Sequence, residues 1–472
     1  MNEKKISINI IYNVLNQIVS LIVPLILTPY VARVLSAELI GAYSYALANS
    51  SYFVLVEALG FPLYGMLKVS SHRDDKEYIS TLFKEISIAK VVLMLICIGI
   101  YMVPFVFWAD SNKLLHFIMI LNIISTGIDS TWFLSGMEDF KTTSLRNIVV
   151  RGINVFLIIL LVKSENDFLL YALIMQLSNV ISYVVVFPTV KKYIVPAKTS
   201  IRGMLEHTKK SMVYFVPGII NTIFTSSDKT ILGAFTNNYE VGVYEQASKI
   251  STLCGSVINS ISNVVLPRVT YLNHNASIEE SKKFLFKTLR YASVLTIPVM
   301  FGIICISDEF VPVFFGEGYT KSSILLKILS INVLMNVLAN YIGQQCLVSN
   351  SKQREYNTAI SIGALLNIII NIIVVNKLQS VGVSIASVLS SIIVFLMVLA
   401  YSREKIKLKD VLEMNWRAII AAIIMAIGIY RIYIGSLFIT CLVKVAVGGM
   451  IYFICLIFLK EEALMQMIKK NN

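Results

Sequence analysis

The stretches IGAYSYALANS, residues 40–50, and VGVYEQASKIS, residues 241–251, decide the fold because they are two copies of one pattern, G-x-Y-x-x-A. The matching positions are separated by a constant 201 residues, and they are Gly41 with Gly242, Tyr43 with Tyr244 and Ala46 with Ala247. Each copy opens a long apolar segment, and only the second carries charges there, Glu245 and Lys249. A repeat at this distance predicts two related halves.

The composition is that of a membrane protein. Of the 472 residues, 56% are hydrophobic and only 15% are charged, whereas about a quarter are charged in a soluble protein. Apolar segments long enough to cross ~30 Å of hydrocarbon recur along the chain, without the short alternating segments of a barrel. We therefore predict an all-α polytopic membrane protein with about fourteen transmembrane helices. The predicted spans are 10–30, 40–66, 86–108, 114–136, 147–162, 169–190, 212–235, 241–265, 291–307, 322–348, 357–375, 381–401, 418–430 and 437–459.

Lysines and arginines are distributed unequally between the two sides of this topology. With both termini on one side, that side holds 29 of the 41 basic residues, the opposite side holds six and the spans hold six. Basic loops stay in the cytoplasm. We therefore predict that both termini are cytoplasmic, and that the net charge of +13 reflects topology rather than binding to nucleic acid.

Six spans separate the two copies of the pattern, and because six is an even number, the two halves share one orientation. This arrangement is typical of a parallel repeat related by an axis along the membrane normal. We predict an N-terminal lobe of helices 1–6 in residues 1–200 and a C-terminal lobe of helices 7–12 in residues 201–402. Residues 403–472 add two helices and a cytoplasmic tail. The lobes are expected to surround a central cavity.

Polar residues recur at helical spacing inside the spans. In span 8, Glu245, Lys249 and Asn259 lie on one face, since a chain of intervals of three and four residues links them. Polar groups in hydrocarbon are costly and usually face a water-filled interior. We therefore predict that these residues line the cavity. The corresponding positions in other spans are Asn13, Asn221, Asn336, Asn340 and Gln344.

These side chains suggest particular ligands. Amides and hydroxyls suit the many hydroxyls of a sugar, whereas Lys229 and Lys249 suit an anionic group such as phosphate. The acidic candidates for coupling to protons or sodium ions are Asp228, Glu57 and Asp129. No other cofactor is expected, because the six cysteines show no C-x-x-C spacing and the sequence contains no GxxxxGK[ST] phosphate-binding loop. Transport would then depend on gradients or on the substrate's own concentration difference, rather than on a built-in ATPase.

Simpler interpretations stay open for the same residues. Amides in membrane helices commonly join one helix to another, at ~0.6 kcal/mol per hydrogen bond. Lys249 could be neutralised by Glu245 one helical turn away, and Lys229 by the residue before it. Lys90 lies near a cytoplasmic end, where extension of the ammonium toward the interface is the better interpretation.

Several stretches carry a further signal. WFLSGMEDF at residues 132–140 fits a W-F-x-x-G-x-E-x-F pattern, and SDKTILGAFTNNYEVGVYEQASKI at residues 227–250 fits D-[KR]-x-x-[IL]-G followed by G-x-Y-x-x-A. In these motifs, and in their order and spacing, the chain resembles the Wzx-type oligosaccharide flippases. These form the polysaccharide transporter group of the multidrug/oligosaccharidyl-lipid/polysaccharide exporter superfamily. The resemblance extends over the whole chain.

That resemblance implies a V-shaped pair of six-helix lobes in the bacterial plasma membrane. It also implies a flippase that moves a sugar repeat unit on undecaprenyl pyrophosphate from the cytoplasmic to the outer leaflet by alternating access, for capsule or O-antigen synthesis. The expected partners are this lipid-linked oligosaccharide, membrane lipids, a polysaccharide polymerase and glycosyltransferases. The alternative is a multidrug or other lipid-linked-precursor exporter of the same superfamily. A membrane glycosyltransferase or polymerase would need a larger loop, so no enzymatic activity is expected.

Overall fold

A computed structural model describes residues 3–107, 112–275, 277–462 and 464–465. Within these ranges every regular element is helical and none is a strand. The prediction of an all-α membrane protein is therefore confirmed. The chain divides into two compact units, Met1–Gly233 and Ala234–Asn472, which are called unit 1 and unit 2 and are described separately.

Unit 1 is built around α2, which packs against α4 and α5, while α5 packs against α8 and α1 packs against α7. Asp75 and Asp139 begin α4 and α7 by accepting hydrogen bonds from backbone N–H groups three residues later, caps that stabilise a helix by about 1 kcal/mol. The helices are α1 Glu3–Val34, α2 Ala37–Ala58, α3 Phe61–Ser71, α4 Lys76–Met102, α5 Lys113–Gly127, α6 Thr131–Gly136, α7 Phe140–Leu161, α8 Phe168–Val184, α9 Phe187–Val190, α10 Ile201–Ser211 and α11 Phe215–Phe235.

The break between α2 and α3 depends on a glycine. Leu59 and Gly60 adopt left-handed backbone conformations, with φ angles of 37° and 76°. A Cβ atom at Gly60 would overlap the carbonyl oxygen of Ser211, at the end of α10. Glycine is therefore required here both for the turn and for the close approach of α10.

The amphipathic helix α10 is docked on α3 and α4. A carboxylate oxygen of Glu85 accepts a hydrogen bond from the backbone N–H of Ser200 at 2.8 Å, and its other oxygen lies 3.2 Å from Nε2 of His207. Nδ1 of His207 lies 2.7 Å from the hydroxyl of Tyr64. Burial lowers the pKa of His207 below its ordinary value, and the negative charge of Glu85 opposes this change.

Unit 2 is centred on α14, which packs against α12, α13 and α15. The last two helices, α16 and α17, pack against α13 and against each other. Three small residues of α16, Ala418, Ala421 and Ala422, are buried in a cluster with Ile297 of α13, as expected where membrane helices approach closely. The helices are α12 Asn238–Asn275, α13 Ile278–Phe315, α14 Ser322–Ile342, α15 Gln353–Tyr401, α16 Leu408–Tyr430 and α17 Leu437–Phe458.

The longest helix, α15, is a hairpin. A straight helix of its 49 residues would be about 74 Å long, more than twice the hydrocarbon thickness. Gln379 interrupts it with a φ angle of 48°. The two arms on either side of that residue contact each other. A Cβ at Gly363 would overlap Val394, and Asn367 donates a hydrogen bond to Ser387 at 3.5 Å. The two arms correspond to the eleventh and twelfth predicted spans.

At the start of α12, Glu240 joins three helices of unit 2. One carboxylate oxygen lies 2.6 Å from the ammonium of Lys321, at the start of α14. The other accepts hydrogen bonds from the hydroxyl of Ser380 at 2.5 Å and from its backbone N–H at 3.3 Å, at the start of the second arm of α15. This buried carboxylate therefore holds together the first turns of α12, α14 and that arm.

Eleven helices among the described residues are long and apolar enough to cross a membrane, or twelve if the bent helix α12 counts as one span. The predicted number of fourteen is therefore approximate. Part of the difference is α15, which counts once although it folds back on itself. The bend in α12 is 47° between Ser260 and Val265, and Pro267 follows it, where the ring clashes with the carbonyl four residues earlier.

The two copies of the G-x-Y-x-x-A pattern make corresponding contacts in their own units. The hydroxyl of Tyr43 in α2 accepts a hydrogen bond from Gln176 of α8 at 2.9 Å. The hydroxyl of Tyr244 in α12 lies 3.3 Å from that of Ser387, in the second arm of α15. Both partner helices are the sixth predicted span of their half. These contacts agree with the predicted repeat, while the lobe boundaries drawn from it stay a prediction.

Candidate functional site

In the predicted polar row of unit 2, Asn259, Asn340 and Gln344 form a hydrogen-bonded group with Tyr356, which is called the seam. Asn340 donates to the Oδ1 atom of Asn259 at 2.9 Å, and its own Oδ1 accepts hydrogen bonds from Gln344 at 3.0 Å and from the hydroxyl of Tyr356 at 3.1 Å. The seam joins α12, the end of α14 and α15. These amides therefore join helices, which was the simpler interpretation. All three amide side chains belong to half-buried residues, so the seam also keeps an exposed edge.

Two further members of the row lie along the same helices. Asn336, one turn before Asn340, is half-buried and donates to Asn332 at 3.1 Å. On α12, the ammonium of Lys249 lies 3.9 Å from Oε1 of Glu245, with exposed side-chain fractions of 35% and 17%. That distance exceeds a hydrogen bond. The predicted pairing is therefore present as a loose attraction, and the ammonium of Lys249 stays accessible.

The candidates on α11 belong to unit 1. Asn221 is exposed, Lys229 is half-buried and Asp228 is buried. The charges of the last two residues both act on Tyr52 of α2, whose hydroxyl donates to Thr230 at 3.2 Å. This part of α11 thus packs on α2. Asn13 lies outside the residues whose side chains the structure describes.

Three charged side chains interact within unit 1: Glu57, Lys90 and the half-buried Asp129. Glu57 is 0% exposed and Lys90 is 1% exposed. The ammonium of Lys90 donates to the backbone carbonyl of Asp129 at 2.8 Å, and the charges of all three side chains interact. The interpretation of Lys90 as a residue that extends toward the interface is therefore wrong. The backbone carbonyl of Asp129 and the carboxylates of Glu57 and Asp129 hold its ammonium inside the helix bundle instead.

Two arginines of α7 were missing from the predicted set. Arg146 donates to the carbonyl of Ser182 at 3.1 Å and lies over the ring of Tyr183 at 5.4 Å. Arg151 donates to the hydroxyl of Ser20 in α1. Both guanidinium groups are half-buried in unit 1. The position of Arg151 near the end of a predicted span favoured an interfacial role, whereas Arg146 was noted only as following the W-F-x-x-G-x-E-x-F motif. The packing of α1 and α8 on α7 shows where both side chains lie.

The W-F-x-x-G-x-E motif closes one end of unit 1. Arg73, which follows α3, donates to the carbonyl of Gly136 at 2.7 Å and forms an ion pair with Glu138 at 2.6 Å. The ring of Trp132 fills the space that a Cβ of Gly65 would take. The motif therefore holds the end of α3 against α6, and in this structure its residues have a structural role.

Comparisons with known proteins agree with this architecture. The family model described as "Polysaccharide biosynthesis protein" matches residues 6–273, which is more than half of the chain. The "Putative O-antigen transporter" of Escherichia coli (strain K12) is 20% identical over 415 residues, covering 86% of this chain and 99% of that protein.

Two solved structures share the fold. The lipid II flippase MurJ in an inward closed conformation has a TM-score of 0.75 at 19% identity and covers 96% of this chain and 99% of its own. An inward-facing multidrug resistance MATE family transporter of the MOP superfamily has a TM-score of 0.65 at 12% identity and covers 82% of this chain and 94% of its own. The resemblance recognised from the motifs is confirmed: the chain belongs to the polysaccharide biosynthesis protein family.

Proposed function

We propose that this protein moves lipid-linked oligosaccharide repeat units from the cytoplasmic to the outer leaflet of the bacterial plasma membrane, for the synthesis of a surface polysaccharide. The carrier is undecaprenyl pyrophosphate, the movement is by alternating access, and both termini are cytoplasmic. Family membership supports the class of cargo, since one relative is named as an O-antigen transporter and one protein of the same fold as a lipid II flippase.

The observation that carries the proposal is the partly exposed polar row of unit 2. It has an accessible ammonium, Lys249, at one position and the half-buried amides Asn259, Asn340 and Gln344 at others. Lys249 and Asn259 are ten residues apart on α12, or about 15 Å along a helix. A cation and a row of amides at that separation suit a phosphate followed by sugar hydroxyls. A cationic drug would be repelled by Lys249, and a purely apolar cargo would gain nothing from the amides.

Deletion of the gene tests the function directly. We expect the lipid-linked repeat unit to accumulate on the cytoplasmic leaflet, because the deletion removes the polar path across the membrane. The measurement is labelling of the glycan by an added lectin in intact cells and in opened membrane vesicles. Glycan that stays accessible in intact deletion cells would contradict the proposal. Unchanged export together with new drug sensitivity would favour the multidrug alternative.

Variants of Lys249 test the site. Lys249→Ala removes the cation and is expected to abolish export, whereas Lys249→Arg keeps a positive charge and retains part of it. The matched control is Lys327→Ala, which removes a lysine of unit 2 that is paired with Asp308 and should leave export unchanged. Full activity of both Lys249 variants would show that this residue only pairs with Glu245. Preserved export when these two residues are exchanged would show the same.

A further inference from the structure

Glu57 has an unusual environment for a carboxylate. Its side chain is completely enclosed, and neither carboxylate oxygen has a hydrogen-bond partner within the described part of the chain. Gly127 brings the backbone of α5 close, since a Cβ there would lie 3.0 Å from Oε1 of Glu57. An ionised carboxylate enclosed without donors costs several kcal/mol. A proton on Glu57 removes that cost by removing the charge.

Among the three side chains of Glu57, Lys90 and Asp129, the charges balance when Glu57 carries a proton. Lys90 contributes one positive charge and Asp129 one negative charge, and each interacts with Glu57. With Glu57 ionised, the three side chains have a net charge of −1, and the single ammonium has to serve two carboxylates. The other titratable or charged groups that act on these residues are Cys97 on α4, Arg146 on α7 and Tyr183 on α8.

The same geometry disfavours a sodium ion. Hard cations take about six or more oxygen ligands, but the backbone oxygen of Asp129 already accepts from Lys90, and its Oδ1 atom accepts from the backbone N–H of Thr131 at 2.8 Å. The ammonium of Lys90 would also repel a second cation placed beside Glu57. Across the ranges that the structure describes, no group of three or more His, Cys, Asp or Glu residues could hold a metal ion.

We propose that Glu57 is the proton-binding site through which this protein uses a proton gradient, with Lys90 and Asp129 as the residues that position and balance its charge. This inference rests on the proposed function for what the gradient drives. One proton from water on one side of the membrane forms the O–H bond of Glu57, and the same bond later breaks to release a proton on the other side. In the ionised form, Glu57 shares the ammonium of Lys90 with Asp129.

Infrared difference spectroscopy of the full-length protein in lipid nanodiscs tests proton binding without any substrate. We expect a C=O stretch of a protonated carboxylic acid that disappears as the pH is raised, and that is absent from Glu57→Gln. The control Asp308→Asn removes a carboxylate whose side chain is 66% exposed and should keep the band. A band that survives in Glu57→Gln would overturn the assignment.

Lys90→Gln tests the positioning role in the same experiment. Removing the facing cation is expected to move the pH at which the band disappears upward by about one unit or more. An unchanged midpoint would show that Lys90 does not act on Glu57.

Proteoliposomes test the coupling. Export of the lipid-linked substrate should increase with an imposed pH gradient, persist when sodium is replaced by N-methylglucamine, and lose its dependence on the gradient in Glu57→Gln, with partial rescue in Glu57→Asp. Sodium-dependent export, or gradient-dependent export in Glu57→Gln, would overturn the coupling. If the wild-type protein exports no lipid-linked substrate, the proposed function fails, while the infrared titration still decides whether Glu57 binds a proton.

Discussion

The two units place their intramembrane charges in opposite environments. In unit 1, Glu57 and Lys90 are fully enclosed. In unit 2, Lys249 is 35% exposed and lies 3.9 Å from Glu245. An enclosed cluster can exchange a proton but has no room for a large ligand, whereas an exposed ammonium can bind one. The proposals made for Glu57 and Lys249 therefore assign different tasks to the two units.

The two copies of the G-x-Y-x-x-A pattern share their tyrosine contacts but differ in charge at two positions. Tyr43 and Tyr244 make equivalent contacts in their units, so the helices that carry them are placed alike. Glu245 and Lys249 follow the tyrosine of the second copy, where the first copy has Ser44 and Ala48. Two charged residues on one helical face therefore distinguish the second copy of the pattern from the first.

The largest expected difference between the units is in stability. Lys90→Met would remove the buried cation that interacts with the half-buried Asp129 and with Glu57, a change that costs about 3–5 kcal/mol. We expect a fall in apparent Tm of roughly 5–10 °C. Lys249→Met breaks only a partly exposed pair, which costs about 1 kcal/mol or less. Thermal unfolding in detergent measures both. Equal falls in Tm would remove the distinction drawn between the two units.

A smaller change in stability tests whether the tyrosines of the two pattern copies are equivalent. Tyr43→Phe and Tyr244→Phe each remove one hydroxyl that contacts the sixth predicted helix of its unit, and each should cost about 1 kcal/mol. The measurement is again thermal unfolding, with Tyr430→Phe as a control at a residue that is 71% exposed. Losses of similar size would support the equivalence of the two halves. A loss in one unit only would show that the two tyrosines are not equivalent.

The smallest effect concerns α10, which has no partner in the repeat. Burial in the docked state lowers the pKa of His207, so docking of α10 favours the neutral imidazole. The docked state of α10 therefore loses stability as the pH falls through about 6.5, the ordinary pKa of histidine. Hydrogen exchange of the α10 amides should therefore quicken between pH 7.5 and 5.5, by at most about tenfold. His207→Gln should show no such pH dependence. Slower exchange at low pH would reverse the sign of the argument.

The sequence was sufficient for the architecture because membrane helices leave a strong signal. Length and hydropathy located most spans, and the spacing of two short motifs predicted two related halves, with which the contacts of Tyr43 and Tyr244 agree. The hairpin of α15 was also predicted, as two spans separated at residues 376–380. Each of these features follows from local composition and from the need to satisfy the backbone within hydrocarbon.

The environment of individual side chains was less predictable, because it depends on which helices meet. Distance from a span end suggested an interfacial Lys90, but α4 lies where Asp129 can accept from its ammonium. The spacing of Asn336, Asn340 and Gln344 predicted a common face, yet not that Tyr356 and Asn259 would bind Asn340. Periodicity gives the face of a helix, and the neighbour of that face is decided by tertiary packing.

The carboxylate of Glu240 also limits how the helices of unit 2 can move relative to one another. Parting the first turns of α12, α14 and the second arm of α15 would strand a buried anion, a barrier that ordinary thermal fluctuations cross only rarely. The bend near Pro267, far along α12, carries no such penalty. Conformational exchange within unit 2 is therefore expected to be concentrated in the distal half of α12, with the Glu240 end moving as a rigid block.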